Sequence, residues 1–219
     1  IKQLENQLKE KDAIINNLVQ KVNLLEENMK EMSKLLNYNM FTIYLGSSII
    51  QNNEFTLVEQ GIKDNFNKKI QKCELLLRGS RDGFGAKEFH SKCDGQNFTV
   101  VLIQTTKGRK FGGFTEETWD QSESFKNGPK SFIFSIDQKE IYYYKEGGSI
   151  YCHKLEQDPQ AILSFGEGKD FKLFDKCNET DNNYERAGKT FETNEKAHPL
   201  VGEYNFRVED YEVYKIYLE

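Results

Sequence analysis

The sequence is poor in the residues from which metal sites, disulfide frameworks and hydrolase triads are built. Its four cysteines (Cys73, Cys93, Cys152, Cys177) lie far apart and form no CxxC or Cys/His ligand spacing. Such spacing excludes a zinc cluster and points to reduced thiols in a cytoplasmic protein. The three histidines (His90, His153, His198) are scattered, and no GxSxG elbow is present, since Gly147-Gly148-Ser149-Ile150 lacks the last glycine. Gly188-Lys189-Thr190 has the tail of a P-loop, but Asn183 stands where the first glycine is required. Gly166-Glu167-Gly168-Lys169 lacks both the spacing and the hydroxyl. No cofactor, no metal and no catalytic residue is therefore expected. No apolar run approaches the ~18 residues of a membrane span. Lys and Arg number 30 against 35 Asp and Glu, and this acidic balance argues against a nucleic-acid partner. A chain opening on Ile1 reads as part of a longer protein.

Glycine, proline and aromatics are absent altogether from residues 1–37, then abundant beyond. Six lysines and six acidic residues leave the first 37 neutral, so the net charge of −5 belongs to the rest. Ile1, Leu8, Ile15, Val22, Met29 and Leu36 recur every seven residues, with Leu4, Lys11, Leu18, Leu25 and Met32 three places later. These are the a and d positions of a coiled coil over 1–37. β-Branched residues at a with Leu at d favour a parallel dimer, and Lys11 at d lowers stability while fixing register. Lys21 at g and Glu26 at e would pair across that dimer. Ile14 and Val19 widen the stripe and leave a trimer open.

A second domain is expected over 38–219. Phe41–Leu45 has strand-forming residues, and Gly46-Ser47-Ser48 is a turn. Val58, Ile62, Phe66 and Ile70 repeat every four, as in a helix weakened at Gly61. Short strands follow at Phe98–Gln104, Arg109–Thr115, Ser131–Ile136, Ile141–Lys145, Ala161–Phe165, Phe171–Phe174 and Tyr211–Leu218. Gly108 and Gly112-Gly113 read as hairpin or bulge geometry. Turn signals between the strands predict an antiparallel sandwich, mainly β with some α. The polar stretch Cys177–Gly188 is expected to be a long mobile loop.

One stretch organises the rest: Gly79-Ser80-Arg81-Asp82-Gly83-Phe84-Gly85-Ala86-Lys87-Glu88-Phe89-His90-Ser91-Lys92-Cys93-Asp94-Gly95. It follows the buried strand Leu75-Leu76-Leu77. Gly83 suits a turn at positive φ. Ala86, Phe89, His90 and Cys93 fall at i, i+3, i+4, i+7, on one face of a short helix, and Gly95 suits the left-handed position after it. His90 and Cys93 are close enough to touch, which makes Cys93 the candidate reactive thiol.

The run LLLRGSRDGFGAKEFHSKCDG resembles the opening of the TLDc domain in its ciliate and amoeba version. KGRKFGGFTEETWD (107–120), GPKSFIFSI (128–136), ILSFGEGKDFKLFDKCN (162–178) and VEDYEVYKIY (208–217) follow in that family's order. The match spans roughly 45–219 and departs at Gly85, where many members carry a capping Ser; the cap is then weaker by a few tenths of a kcal/mol. This resemblance implies two antiparallel sheets flanked by a few short helices. It also implies a non-catalytic interaction domain that binds and regulates the vacuolar proton pump (V-ATPase) and protects against oxidative stress. A cytoskeletal or ciliary scaffold is the alternative, and a Cys- or Glu-dependent enzyme a lower one.

The family's closing strand also carries a Glu where Glu212 stands. Glu212, Tyr214, Ile216 and Leu218 share one face of that strand, while Tyr211, Val213, Lys215 and Tyr217 share the other. Both faces are rich in apolar atoms, so which one is inward stays open. A buried Glu212 would need a partner, Arg78 or Arg81. Arg81, Asp82 and Glu212 are the candidate binding residues, and Gly79, Gly83 and Gly95 the structural turn positions.

Overall fold

A computed structural model describes residues 2–50, 52–158, 160–194 and 196–219, and the side chains of these except at 4, 5, 8, 34–44, 52 and 53. The chain divides into two compact units, Ile1–Tyr44 and Leu45–Glu219.

The first unit is a helix, α1 (Lys2–Leu45). With no Gly or Pro before Gly46, nothing interrupts the hydrogen-bond ladder once it is nucleated. That continuity overrides the strand preference expected of Phe41–Leu45: the helix runs through them, and Gly46 follows at φ +57°. The side chains of Ile15, Val22 and Met29 at a, and of Leu18, Leu25 and Met32 at d, are 51% to 69% exposed. Ile1, Leu4, Leu8 and Leu36 complete the repeat in sequence, but Ile1 and the side chains of the other three lie outside the described residues.

The second unit holds α2 (Thr56–Phe66), α3 (Gly79–Asp82) and α4 (Ala86–Cys93) beside twelve strands. In chain order these are β1 (Ile70–Arg78), β2 (Thr99–Thr105), β3 (Lys110–Thr115), β4 (Ser124–Lys126), β5 (Phe132–Ser135), β6 (Glu140–Tyr143), β7 (Ile150–Cys152), β8 (Ala161–Phe165), β9 (Phe171–Phe174), β10 (Asn183–Glu185), β11 (Asn205–Phe206) and β12 (Val208–Leu218). They form two antiparallel six-stranded sheets, ordered β1-β12-β2-β3-β5-β6 and β11-β10-β9-β8-β7-β4. The α2 helix stops at Asn67, which takes the left-handed conformation at φ 52°, so Ile70 opens β1 and does not continue the helix.

Alternation in register builds the core. On one face of the first sheet Val213, Val101, Gly113, Ile133 and Tyr142 lie opposite one another in successive strands. They meet Leu163, Phe165, Phe171 and Leu173 of the second sheet, where the Phe165 and Phe171 rings stack at 4.8 Å. Gly108 does sit in the turn between β2 and β3, at φ +79°, but Gly113 lies mid-strand, paired on both sides, and not at a hairpin or bulge: a Cβ there would come within 2.6 Å of the Phe165 ring. The opposite face of the first sheet carries Leu75, Tyr214, Val100, Phe114, Phe132 and Tyr143 in register. Helix α2 packs on it through Val58 and Ile62, with Gly61 so close that a Cβ would collide with the Phe132 ring.

The stretch expected to be a mobile loop, Cys177–Gly188, contains β10, and its Asn183 and Glu185 are fully buried. Asn183 Nδ2 donates to the carbonyls of Cys177, Thr180 and Phe206, and its Oδ1 accepts from Phe174 N. A polar side chain that satisfies its own donors and acceptors can be buried where composition alone predicts solvent.

Candidate functional site

The carboxylate of Glu212 sits where β1, β12 and the segment after α1 converge. Arg78 ends β1 directly opposite Glu212 in β12. Tyr211 and Val213, on the other side of β12, belong to the inter-sheet core. Glu212 therefore lies on the sheet face turned away from the core, yet is completely buried, because Gly46–Ile50 closes over it.

Five donors converge on the two oxygens. Arg78 Nε lies 2.7 Å from Oε1, which also accepts from Ser48 N and Ser48 Oγ at 2.9 Å each. Ser47 Oγ donates to Oε2 at 2.5 Å and Tyr214 OH at 3.0 Å. Arg78 Nη2 also donates to the carbonyl of Gly46. The ion pair is asymmetric, with Glu212 fully covered and the Arg78 side chain 22% exposed. Burial alone would lower the Arg78 pKa, but Glu212 outweighs it and raises it. Burial beside Glu212 pushes the Tyr214 phenol up, so it stays a donor.

A second acidic residue, Asp210, is engaged next to this cluster. Ser80 N and Oγ donate to its two oxygens at 2.9 and 2.6 Å, and Ser48 Oγ reaches it at 3.2 Å. The turn after β1 is a single helical turn, α3, closed by Gly83. Gly83 takes φ 112° and ψ 159°, a region essentially restricted to glycine. Gly79 starts α3 where a Cβ would meet the rings of Phe84 and Tyr211. Asp82 Oδ2 accepts from Arg78 N at 2.9 Å and from Arg81 Nη2 at 2.7 Å. The hydrogen bond from Arg81 holds the Asp82 carboxyl below its usual range.

Of the three candidate binding residues, Glu212 is buried, Asp82 is mostly covered, and the Arg81 side chain is 49% exposed. Arg78, not Arg81, pairs with Glu212.

Helix α4 buries the four residues that its spacing places on one face: Ala86, Phe89, His90 and Cys93. Gly85 provides no side-chain cap, but Ala86 N donates to Asp175 Oδ1, 89 positions further on, at 2.8 Å. Gly95 follows at φ +81° and donates to Trp119 O at 2.8 Å. His90 Nδ1 pairs with Asp94 Oδ1 at 2.8 Å, and its Nε2 has no hydrogen-bond partner among the described residues. Burial pushes the Cys93 thiol up, away from thiolate.

The structure also joins three residues that nothing in the sequence spacing connects. His153 Nε2 lies 2.9 Å from Ser164 Oγ, and its Nδ1 lies 3.1 Å from Asp158 Oδ2 without an aligned hydrogen bond. Lys172 Nζ reaches the same Asp158 oxygen at 3.3 Å. The set has the order of a catalytic triad, but Ser164, His153 and Lys172 are all buried. Burial, then the Lys172 charge, lower the His153 pKa to about 4, so the imidazole is neutral at physiological pH. Only strand register could have shown the arrangement in advance, since Ser164 and Lys172 are cross-strand partners. Among the described residues no three His, Cys, Asp or Glu side chains are grouped to hold a metal ion, and no helix is long and apolar enough to cross a membrane.

Comparison with known proteins matches the TLDc domain over residues 44–217. A 62-residue stretch is 29% identical to MTOR-associated protein MEAK7 of Danio rerio, covering 28% of this chain and 14% of that relative. The residues of the segment after α1, of β1, of the helical turn α3 and of the closing β12 that build the Glu212 cluster all lie within the matched span, and the chain belongs to the TLDc family.

Proposed function

We propose that the Leu45–Glu219 unit is a non-catalytic module that binds and regulates a protein partner. The observation that carries this reading is the saturation of the polar cluster. Glu212 receives five donors from within the chain, and Asp210 and Asp82 are engaged by Ser80, Arg78 and Arg81. A carboxylate satisfied in this way ties elements together and has no free lone pair with which to act as base or nucleophile. Arg81 stands at the edge of the cluster with its guanidinium half in solvent, and we assign it to partner contact. The partner implied by the family resemblance is the vacuolar proton pump, with oxidative-stress protection as the setting. The MTOR-associated relative supports a regulatory protein partner more generally.

A cytoskeletal or ciliary scaffold is the second reading, and the exposed apolar residues of α1 favour it. Affinity purification of the full chain with mass spectrometry separates the two. Pump subunits recovered with the native chain and lost with Arg81→Glu support the first reading. Filament proteins recovered irrespective of Arg81 support the second. Neither reading expects turnover. A hydrolase or peroxidase activity abolished by Cys93→Ser, with the fold intact, would contradict both.

A further inference from the structure

Helix α1 leaves a seam uncovered along one side. Ile14, Ile15, Leu18, Val19, Val22, Leu25, Met29 and Met32 are each more than half exposed, at a, d and the adjoining e and g positions of one heptad frame. An apolar stripe of this length is unfavourable in water, and the heptad spacing keeps it on one side of a supercoiled helix. We propose that a second copy of this chain covers it, parallel and in register. The inference goes beyond the binding role of the Leu45–Glu219 unit and does not depend on it.

Complementarity along the flanks selects the occupant and its direction. In a parallel in-register pair, each g residue faces the e residue five positions later in the other chain. Lys21 then meets Glu26, a charge pair. Ile14 meets Val19, so these two apolar side chains at g and e cover each other. Gln7 meets Asp12 and Asn28 meets Ser33, polar against polar. An antiparallel pair sets g against g and e against e, which separates Lys21 from Glu26 and Ile14 from Val19.

The Lys11 layer points the same way. Each d side chain inserts into a hole of four residues on the facing helix, and in a parallel pair that hole includes the neighbouring e position. The two Lys11 ammonium groups are therefore flanked by the two Asp12 carboxylates of the opposite chains. A layer that looks like a flaw in one helix becomes charge-balanced in the pair and tolerates no shift of register. At the a positions, Ile15 and Val22 are β-branched and face their own copies, with Leu18 and Leu25 at d, the distribution that favours two strands over three.

The test uses the full chain. Sedimentation equilibrium at tens of micromolar should give twice 25.6 kDa, and Leu18→Asp should return the mass to 25.6 kDa while leaving the urea transition of the β unit in place. The four native cysteines are buried, so Leu25→Cys adds a thiol at d whose mild oxidation should give a covalent dimer in high yield. Lys21→Glu should raise the dissociation constant several-fold, and adding Glu26→Lys should restore it. A native chain of 25.6 kDa or three times that mass overturns the proposal, as does a dimer that Leu25→Cys does not cross-link. A monomer that still recovers its partner removes only this inference, and a dimer that recovers none removes only the proposed function.

Discussion

Arg78 is the residue through which the parts of the site communicate. Its backbone N–H holds Asp82, its Nε holds Glu212, and its Nη2 reaches Gly46. Glu212→Ala leaves this guanidinium without its carboxylate and should cost roughly 3 kcal/mol, the low end for a buried pair because Arg78 keeps some contact with water. Gly83→Val forces a β-branched residue into a glycine-only conformation, at about 1–3 kcal/mol. The two positions are 129 apart in sequence but share Arg78 through Asp82, so a double-mutant cycle on the urea midpoint should deviate from additivity by at least about 0.5 kcal/mol. His153 makes a separate prediction. Its pKa is about 4 in the fold against 6.5 for the free side chain, so the unfolded chain binds the extra proton as pH falls through that window. The stability is fully present above pH 6.5 and declines toward pH 4. Between pH 7 and pH 5 the loss should be roughly 2 kcal/mol. His153→Gln should flatten that part of the pH profile; an unchanged slope would show that the imidazole titrates normally in the fold.

At the scale of elements, β10 is the sharpest test of how polar groups are buried. Asn183→Ala would leave Phe174 N without its acceptor and remove a donor from the carbonyls of Cys177, Thr180 and Phe206, and should cost about 3 kcal/mol. The same variant should open 177–188 to protease, while the native chain resists cleavage there. Cleavage of the native chain at this stretch would restore the mobile loop that composition suggests. The contrast with α4 shows what was legible in the sequence and why. The face of α4 could be read because Ala86, Phe89, His90 and Cys93 carry their burial in a period of 3.6. The strands β2, β3, β5, β8, β9 and β12 could be read from apolar runs bounded by turns. Strands β4, β7, β10 and β11 are two or three residues long, too short for a period, and exist through pairing with distant partners. Gly113 misled for a related reason: what it makes room for is Phe165, 52 positions on and in the other sheet. At the Glu212 cluster, the carboxylate and its two possible arginines were visible, while Ser47, Ser48 and Tyr214 were not. Hydroxyls and a backbone N–H leave no pattern until the chain folds over them.

At the scale of the whole molecule the chain joins two kinds of surface. The helix offers an apolar seam, and the β unit a sandwich whose buried Glu212 and Asn183 are satisfied from within the chain. Should the helices pair as proposed, each particle carries two β units, and a partner with two sites would be held with higher avidity at no change in contact chemistry. The central claim is that the Glu212 cluster is a tether and that function resides in binding at its rim. Measuring the urea midpoint and pump-subunit capture of the full chain together, for Glu212→Gln and Arg81→Glu, tests this most directly. The account predicts that Glu212→Gln lowers the midpoint while the folded fraction still captures its partner, and that Arg81→Glu loses capture while lowering the midpoint by no more than the roughly 1 kcal/mol of a half-exposed ion pair with Asp82. An unmoved midpoint with capture lost in Glu212→Gln would contradict it, because the carboxylate would then serve the partner and not the fold.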